Sequence, residues 1–162
     1  MDRILIKNGT LITPHESKIA DLLIEGEKII QVGVGLEDEN YLVVDAEGKY
    51  ILPGGIDPHV HLDLAMFDTV SSDDHYTGMK AAAFGGTTTV IDFVEDKDPD
   101  LVKNIAALQE KAAPKAAVDY SFHLNITKFN TNVADQIPSI LATGVTTLKV
   151  FTAYNNRLRL ED

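Results

Sequence analysis

The stretch Ile51-Leu52-Pro53-Gly54-Gly55-Ile56-Asp57-Pro58-His59-Val60-His61-Leu62 separates two rhythms in the chain. An apolar run meets a Pro-Gly-Gly turn signal, and two histidines then alternate around a valine. Side chains at i and i+2 of a strand share a face, so His59 and His61 look the same way. Two imidazoles on one face at a strand end can hold one metal ion together. Asp57 alternates with His59 and is placed to share its face. Asp63 is placed either to orient a ring through its second nitrogen or to stay solvated.

Upstream, residues 1–52 read as β. Ile4-Leu5-Ile6 and Thr10-Leu11-Ile12 flank Asn8-Gly9, a hairpin signal. Ala20–Ile24 and Ile29–Val32 flank Glu25-Gly26-Glu27-Lys28, a second. Tyr41–Asp45 and Tyr50–Leu52 bracket Ala46-Glu47-Gly48-Lys49, a third. The expectation is a small antiparallel β-sandwich module over 1–52, without a helix of useful length.

Downstream, over 53–162, strand and helix alternate. The expected strands are Gly55–His59, Thr87–Val94, Val118–Ile126 and Thr146–Ala153. They are rich in β-branched and aromatic residues. The expected helices are Asp73–Phe84, closed by Gly85-Gly86, then Leu101–Ala113, and Asn132–Ala142, closed by Gly144. Pro99 suits a first helical turn, and Pro138 is expected to delay or roughen the start of its helix. Such alternation indicates parallel β/α units. A (β/α)8 barrel takes about 250 residues. The alternatives are therefore an open α/β sheet or the first half of a larger barrel, about four units long. The polar close of the sequence favours the second.

The composition narrows the chemistry. Of 162 residues, 14 are Lys or Arg and 25 Asp or Glu, a net charge of -11 that disfavours nucleic-acid and anionic-membrane partners. There is no cysteine, so disulfides and thiolate metal sites are excluded, and any metal must use nitrogen and oxygen ligands. No signal peptide or membrane-length apolar run is evident, and the cytoplasm is the expected location. His15 and His75 read as surface residues; His123 reads as core or as support for a site. Lys149 interrupts an apolar strand, Thr146–Thr152. It either reaches solvent or an acid at the strand end, or carries carbon dioxide as a carbamate able to bridge two metals.

Four segments, in order and spacing, resemble the dihydropyrimidinase/D-hydantoinase family of cyclic amidohydrolases. They are Gly54–Leu62, Phe84-Gly85-Gly86-Thr87-Thr88-Thr89-Val90-Ile91-Asp92-Phe93, Asp119-Tyr120-Ser121-Phe122-His123, and Leu148-Lys149-Val150-Phe151-Thr152-Ala153-Tyr154. The resemblance implies a β-sandwich and a (β/α)8 TIM barrel holding two zinc ions, with other divalent metals possible. It implies that His59 and His61 ligate the more buried ion. Lys149, as N6-carboxylysine made with carbon dioxide, would bridge both ions. Tyr154 would bind substrate and stabilise its oxyanion. Leu64, Ala65, Met66 and Phe67 fall where the family shapes the substrate's exocyclic group.

The implied reaction is metal-dependent hydrolysis of the cyclic amide bond of dihydropyrimidines or hydantoins to N-carbamoyl amino acids. The implied enzyme is a homo-oligomer, a dimer or tetramer, acting on a small cyclic amide or ureide. Family ligands from later strands have no counterpart here. The chain is accordingly expected to be the N-terminal part of a longer enzyme, inactive alone and prone to self-association through open strand edges. The alternatives are a dihydroorotase, an allantoinase, or a non-catalytic assembly relative.

Overall fold

The computed structural model describes residues 3–66, 68–155 and 157–160. The chain divides into two compact units, Met1–Pro53 and Gly54–Asp162. Among the described residues no helix is long and apolar enough to cross a membrane.

The first unit is one five-stranded sheet. Its strands are β1 (Arg3–Ile12), β2 (Ser17–Glu25), β3 (Lys28–Gly33), β4 (Leu42–Asp45) and β5 (Tyr50–Ile51). β1 pairs antiparallel with β2, and β2 with β3. The β2–β3 hairpin turns at Gly26, where φ is 58°.

The other two expected hairpins do not form. β1 runs straight through Asn8-Gly9, with a register shift between Ile6 and Gly9. Asn8 takes a positive φ of 64°, and its N–H donates to Asp21 Oδ1 at 2.8 Å. The Asn-Gly pair is thus a β-bulge answered by a buried carboxylate on the partner strand. Asp21 Oδ2 also accepts the Leu36 N–H at 2.9 Å, and these amide bonds, that of Asn8 foremost, hold its carboxyl below the usual range despite burial. β4 and β5 do not pair with each other. Both run parallel to β1, on either side of the bulge. The Ala46–Lys49 link steps around it, with the Ala46 N–H donating to Lys7 O and the Thr10 N–H to Lys49 O.

The second unit alternates as expected. Its strands are β6 (Gly55–Asp57), β9 (Thr87–Val94), β10 (Asp119–Ile126) and β11 (Leu148–Val150), with a small hairpin, β7 (Ala65–Met66) and β8 (Thr69–Val70), after the first. The four-stranded sheet is parallel throughout, in the order β11-β10-β9-β6. Its first contact is close: a Cβ on Gly54 would stand 2.0 Å from Thr88 Oγ1, which is why the turn carries glycine there.

The helices are α1 (His75–Phe84), α2 (Leu101–Ala112) and α3 (Thr131–Ala142). Each starts on a side-chain cap, Asp74, Asp100 and Asn130 respectively. Pro99 therefore precedes the cap of α2 instead of lying in its first turn, and its carbonyl accepts from Gln136 Nε2 of α3 at 2.9 Å. Pro138 lies inside α3 without delaying its start. The Asn130 cap fixes that start, and Pro138 faces solvent, where water can replace the lost backbone bond.

Alternation divides the sheet into two faces. Val94, Phe122, Leu124 and Ile126 face the helices and pack with Leu101, Ile105, Val133 and Ile140 into the main core. Ile91, Phe93, His123, Asn125 and Lys149 belong to the other face.

Candidate metal centre

β6 ends at Asp57, so the two histidines lie just beyond the strand. The Val60 N–H nevertheless donates to Ile91 O at 3.1 Å, which keeps this segment running along β9. His59 and His61 consequently share a side, their ring centroids 5.1 Å apart and edge-on. Both rest on Phe93, at 4.6 and 4.8 Å. Lys149 Nζ stands 4.9 Å from the same ring and 5.1 Å from that of Phe151. Two imidazoles from the segment just after β6 and a lysine from β11, the two strands being the outer ones of the sheet, thus converge on one phenyl floor.

Burial lowers the His61 pKa, against the pull of Asp92, and so favours the neutral imidazole that a metal needs. A lysine becomes an oxygen ligand only when carboxylated, and Lys149 has its amine on the same floor. The donors fit one flank of a nitrogen–oxygen metal site. They do not complete one: among the described residues no three His, Cys, Asp or Glu side chains are grouped to hold a metal ion.

The neighbouring acids have other duties. Asp57 Oδ1 accepts the N–H of His59 itself, capping the turn. Asp63 does orient a ring, but that of His75, whose Nδ1 lies 3.2 Å from Asp63 Oδ2. Burial would raise the Asp63 pKa, yet His75, Lys111 and Lys115 outweigh it and hold the carboxyl low. His75 is fully buried, not on the surface, and its Nε2 faces Asp92 Oδ2 at 3.4 Å. Asp92, 3% exposed, also accepts the N–H groups of Phe93 and Leu62. Burial nonetheless pushes its carboxyl up.

His123 is half-buried, its ring 5.0 Å from Phe93. His15 is exposed, as expected. Tyr154 is 62% exposed at a positive φ of 66°, its ring 6.0 Å from Phe151 and so one side chain removed from Lys149. Leu64 is half-buried just before the β7–β8 hairpin, and Ala65, the first residue of β7, is exposed. Phe67 and the side chain of Met66 lie outside the described residues. Phe93 and Asp92 stand in a quoted motif, yet nothing in it singles them out. Strand alternation from Thr87 to Val94 is the signal that would have put Phe93 on the histidine face and Asp92 on the helix face.

Comparisons with known proteins agree with this geometry. The amidohydrolase family model matches residues 50–155. The D-hydantoinase of Geobacillus stearothermophilus is 45% identical over 160 residues, 98% of this chain and 34% of that protein. The dihydropyrimidinase of Arabidopsis thaliana is 37% identical, over 99% of this chain and 30% of that protein. The crystal structure of the Brevibacillus agri dihydropyrimidinase superposes with a TM-score of 0.94 at 46% identity, covering 99% of this chain and 35% of that one. The chain thus spans about a third of the length of these relatives. With the parallel sheet, the paired histidines at the end of its first strand and the match across 50–155, the chain belongs to the amidohydrolase family, along a stretch it shares with D-hydantoinases and dihydropyrimidinases.

Proposed function

We propose that this chain is part of a binuclear zinc enzyme that opens cyclic amides of the dihydropyrimidine and hydantoin type to N-carbamoyl amino acids. The observation that carries the reading is the convergence of His59, His61 and Lys149 on Phe93. The parallel strands form the first half of a (β/α)8 barrel, whose sites lie at the C-terminal strand ends. Residues 1–52 are then a β-sandwich layer and 53–162 the barrel portion. The whole enzyme is cytoplasmic and homo-oligomeric.

Zinc, when bound, supplies a Lewis acid and a water acidified toward neutral pH. The chain's own residues do the rest of their share. His59 and His61 present neutral nitrogens, which the burial of His61 favours. Lys149, taking up carbon dioxide on its neutral amine and releasing a proton, would present two anionic oxygens as metal ligands. The Tyr154 hydroxyl donates to the amide oxygen as charge builds on it. Leu64, Met66 and Phe67 shape the space around the substrate's exocyclic group. No proton carrier for the leaving nitrogen is among these residues, so the 162-residue chain alone turns over neither substrate class.

The test is zinc retention by elemental analysis, together with isotopically labelled carbon dioxide followed by NMR. The whole enzyme of which this chain is part should retain zinc and show a labelled carbamate that is lost in Lys149→Met. The pair His59→Ala and His61→Ala should abolish zinc retention. A whole enzyme that takes up neither zinc nor label would sink the reading.

A further inference from the structure

His123 is not needed as a ligand, yet both of its nitrogens meet groups on other strands. Nε2 lies 2.9 Å from the carbonyl oxygen of Pro58, and Nδ1 lies 2.5 Å from Thr147 Oγ1. Pro58 immediately precedes His59. Thr147 is two residues before Lys149, and its own carbonyl accepts the Leu124 N–H. β6 and β11 are the outer strands of the sheet, and neither touches the other in the ladder. His123, on β10, therefore reaches past β9 to the end of β6 and at the same time holds the start of β11.

The chemistry of the partners sets the ring's state. A carbonyl oxygen only accepts, so Nε2 must carry a hydrogen. Nδ1 is then free to accept the Thr147 hydroxyl proton, and a neutral ring satisfies both bonds. Phe93 lies against the ring and fixes its plane.

We propose that His123 is a positioning residue that sets the separation between the His59–His61 pair and Lys149 by tying their two strands together through one imidazole. The inference rests on the metal-ligand reading of those three residues only for its consequence, not for the tie itself.

The experiment uses the isotope-labelled 162-residue chain, its variants His123→Phe and His123→Gln, and an Ile105→Val control that weakens the core away from the site. Imidazole NMR at neutral pH should show His123 as the single Nε2–H tautomer; an Nδ1–H or averaged ring overturns the tie. In His123→Phe, amide exchange at Val60 and Leu124 should speed up about tenfold relative to the α2 amides, as expected for losing a hydrogen bond. His123→Gln, which keeps a donor near Pro58, should recover Val60. A purely structural role would raise exchange uniformly, as in the control, and that result also overturns the proposal. Zinc-induced shifts of the His59 and His61 rings should need about tenfold more zinc in His123→Phe. If the unaltered chain shows no such shifts, the metal reading rests on the whole enzyme, while tautomer and exchange still decide the tie.

Discussion

The two units use β-strands in opposite ways. In the first, β1 is the hub of one sheet. β2 joins it antiparallel, and the broken strand β4–β5 joins it parallel from some 40 residues away in sequence. In the second, each strand of the four-stranded sheet is parallel to its neighbour, and a helix intervenes between β9 and β10 and between β10 and β11; only the short β7–β8 hairpin is antiparallel. The difference shows when local signals can be trusted. The second unit is punctuated by caps and glycines that act within one turn: Asp74 accepts the Thr77 N–H, and Gly86, at a φ of 84°, ends α1. In the first, Asn8-Gly9 suits either a turn or a bulge. The choice falls to Asp21, 13 residues away, which takes up the Asn8 amide.

The contrast can be broken by substitution. Leu124→Ala should have the largest effect. Leu124 is fully buried in the helix-backed core, so the cost should be about 3 kcal/mol in urea denaturation. Ile30→Ala on β3, more than half exposed, should stay within about 0.5 kcal/mol. Equal costs would mean that burial behind the helices does not separate the two positions.

Asp21→Ala comes next, at about 1–2 kcal/mol, because it removes the buried carboxylate that accepts the amides of Asn8 and Leu36. Asn8→Gly should be nearly silent, since glycine accepts the positive φ freely. If Asn8→Gly proved the costlier of the two, the bulge would not depend on the carboxylate. Gly54→Ala should cost about 1–3 kcal/mol by forcing Thr88 aside, and pairing Gly54→Ala with Thr88→Ala should recover much of it.

The smallest effect is a pH dependence. Asp74 has its carboxyl lowered to about 2, chiefly by the Thr77 amide and then by Lys115. A lowered carboxyl pKa means that the unfolded chain binds more protons, so its contribution is present above the ordinary value near 3.8 and fades as pH falls toward 2. Asp74→Asn keeps a capping oxygen but not the charge. It should flatten that part of the acid stability profile measured by thermal melts, and an unchanged profile would argue that the cap alone matters.

Much of the candidate site was legible. The histidine pair follows from period-two alternation and Lys149 stands out as a charge inside an apolar strand, while the helix starts are legible only to within two residues, because the caps Asp74 and Asn130 do not stand out among neighbouring polar residues. The burial of His75 was not legible, because its partners lie 12 and 17 residues away on a loop and a strand. A histidine beside two aspartates in sequence, Asp73 and Asp74, reads as a solvated helix start. The role of Pro138 was misread for a related reason: whether a helix tolerates proline depends on which side faces water.

Local chemistry dictates that His59 and His61 share a side, because alternate residues of an extended chain point the same way whatever surrounds them. It dictates the absence of thiolate ligands, since there is no cysteine. It also dictates where α1, α2 and α3 begin, since each cap acts within its own first turn. Long-range strand pairing sets what local chemistry leaves open. It puts Phe93 beneath two histidines and a lysine from different strands, turns Asn8 into a bulge, and lets His123 reach Pro58 and Thr147 together. Those contacts join residues 24 to 65 positions apart, or hinge on a carboxylate across the sheet, and no local propensity encodes them.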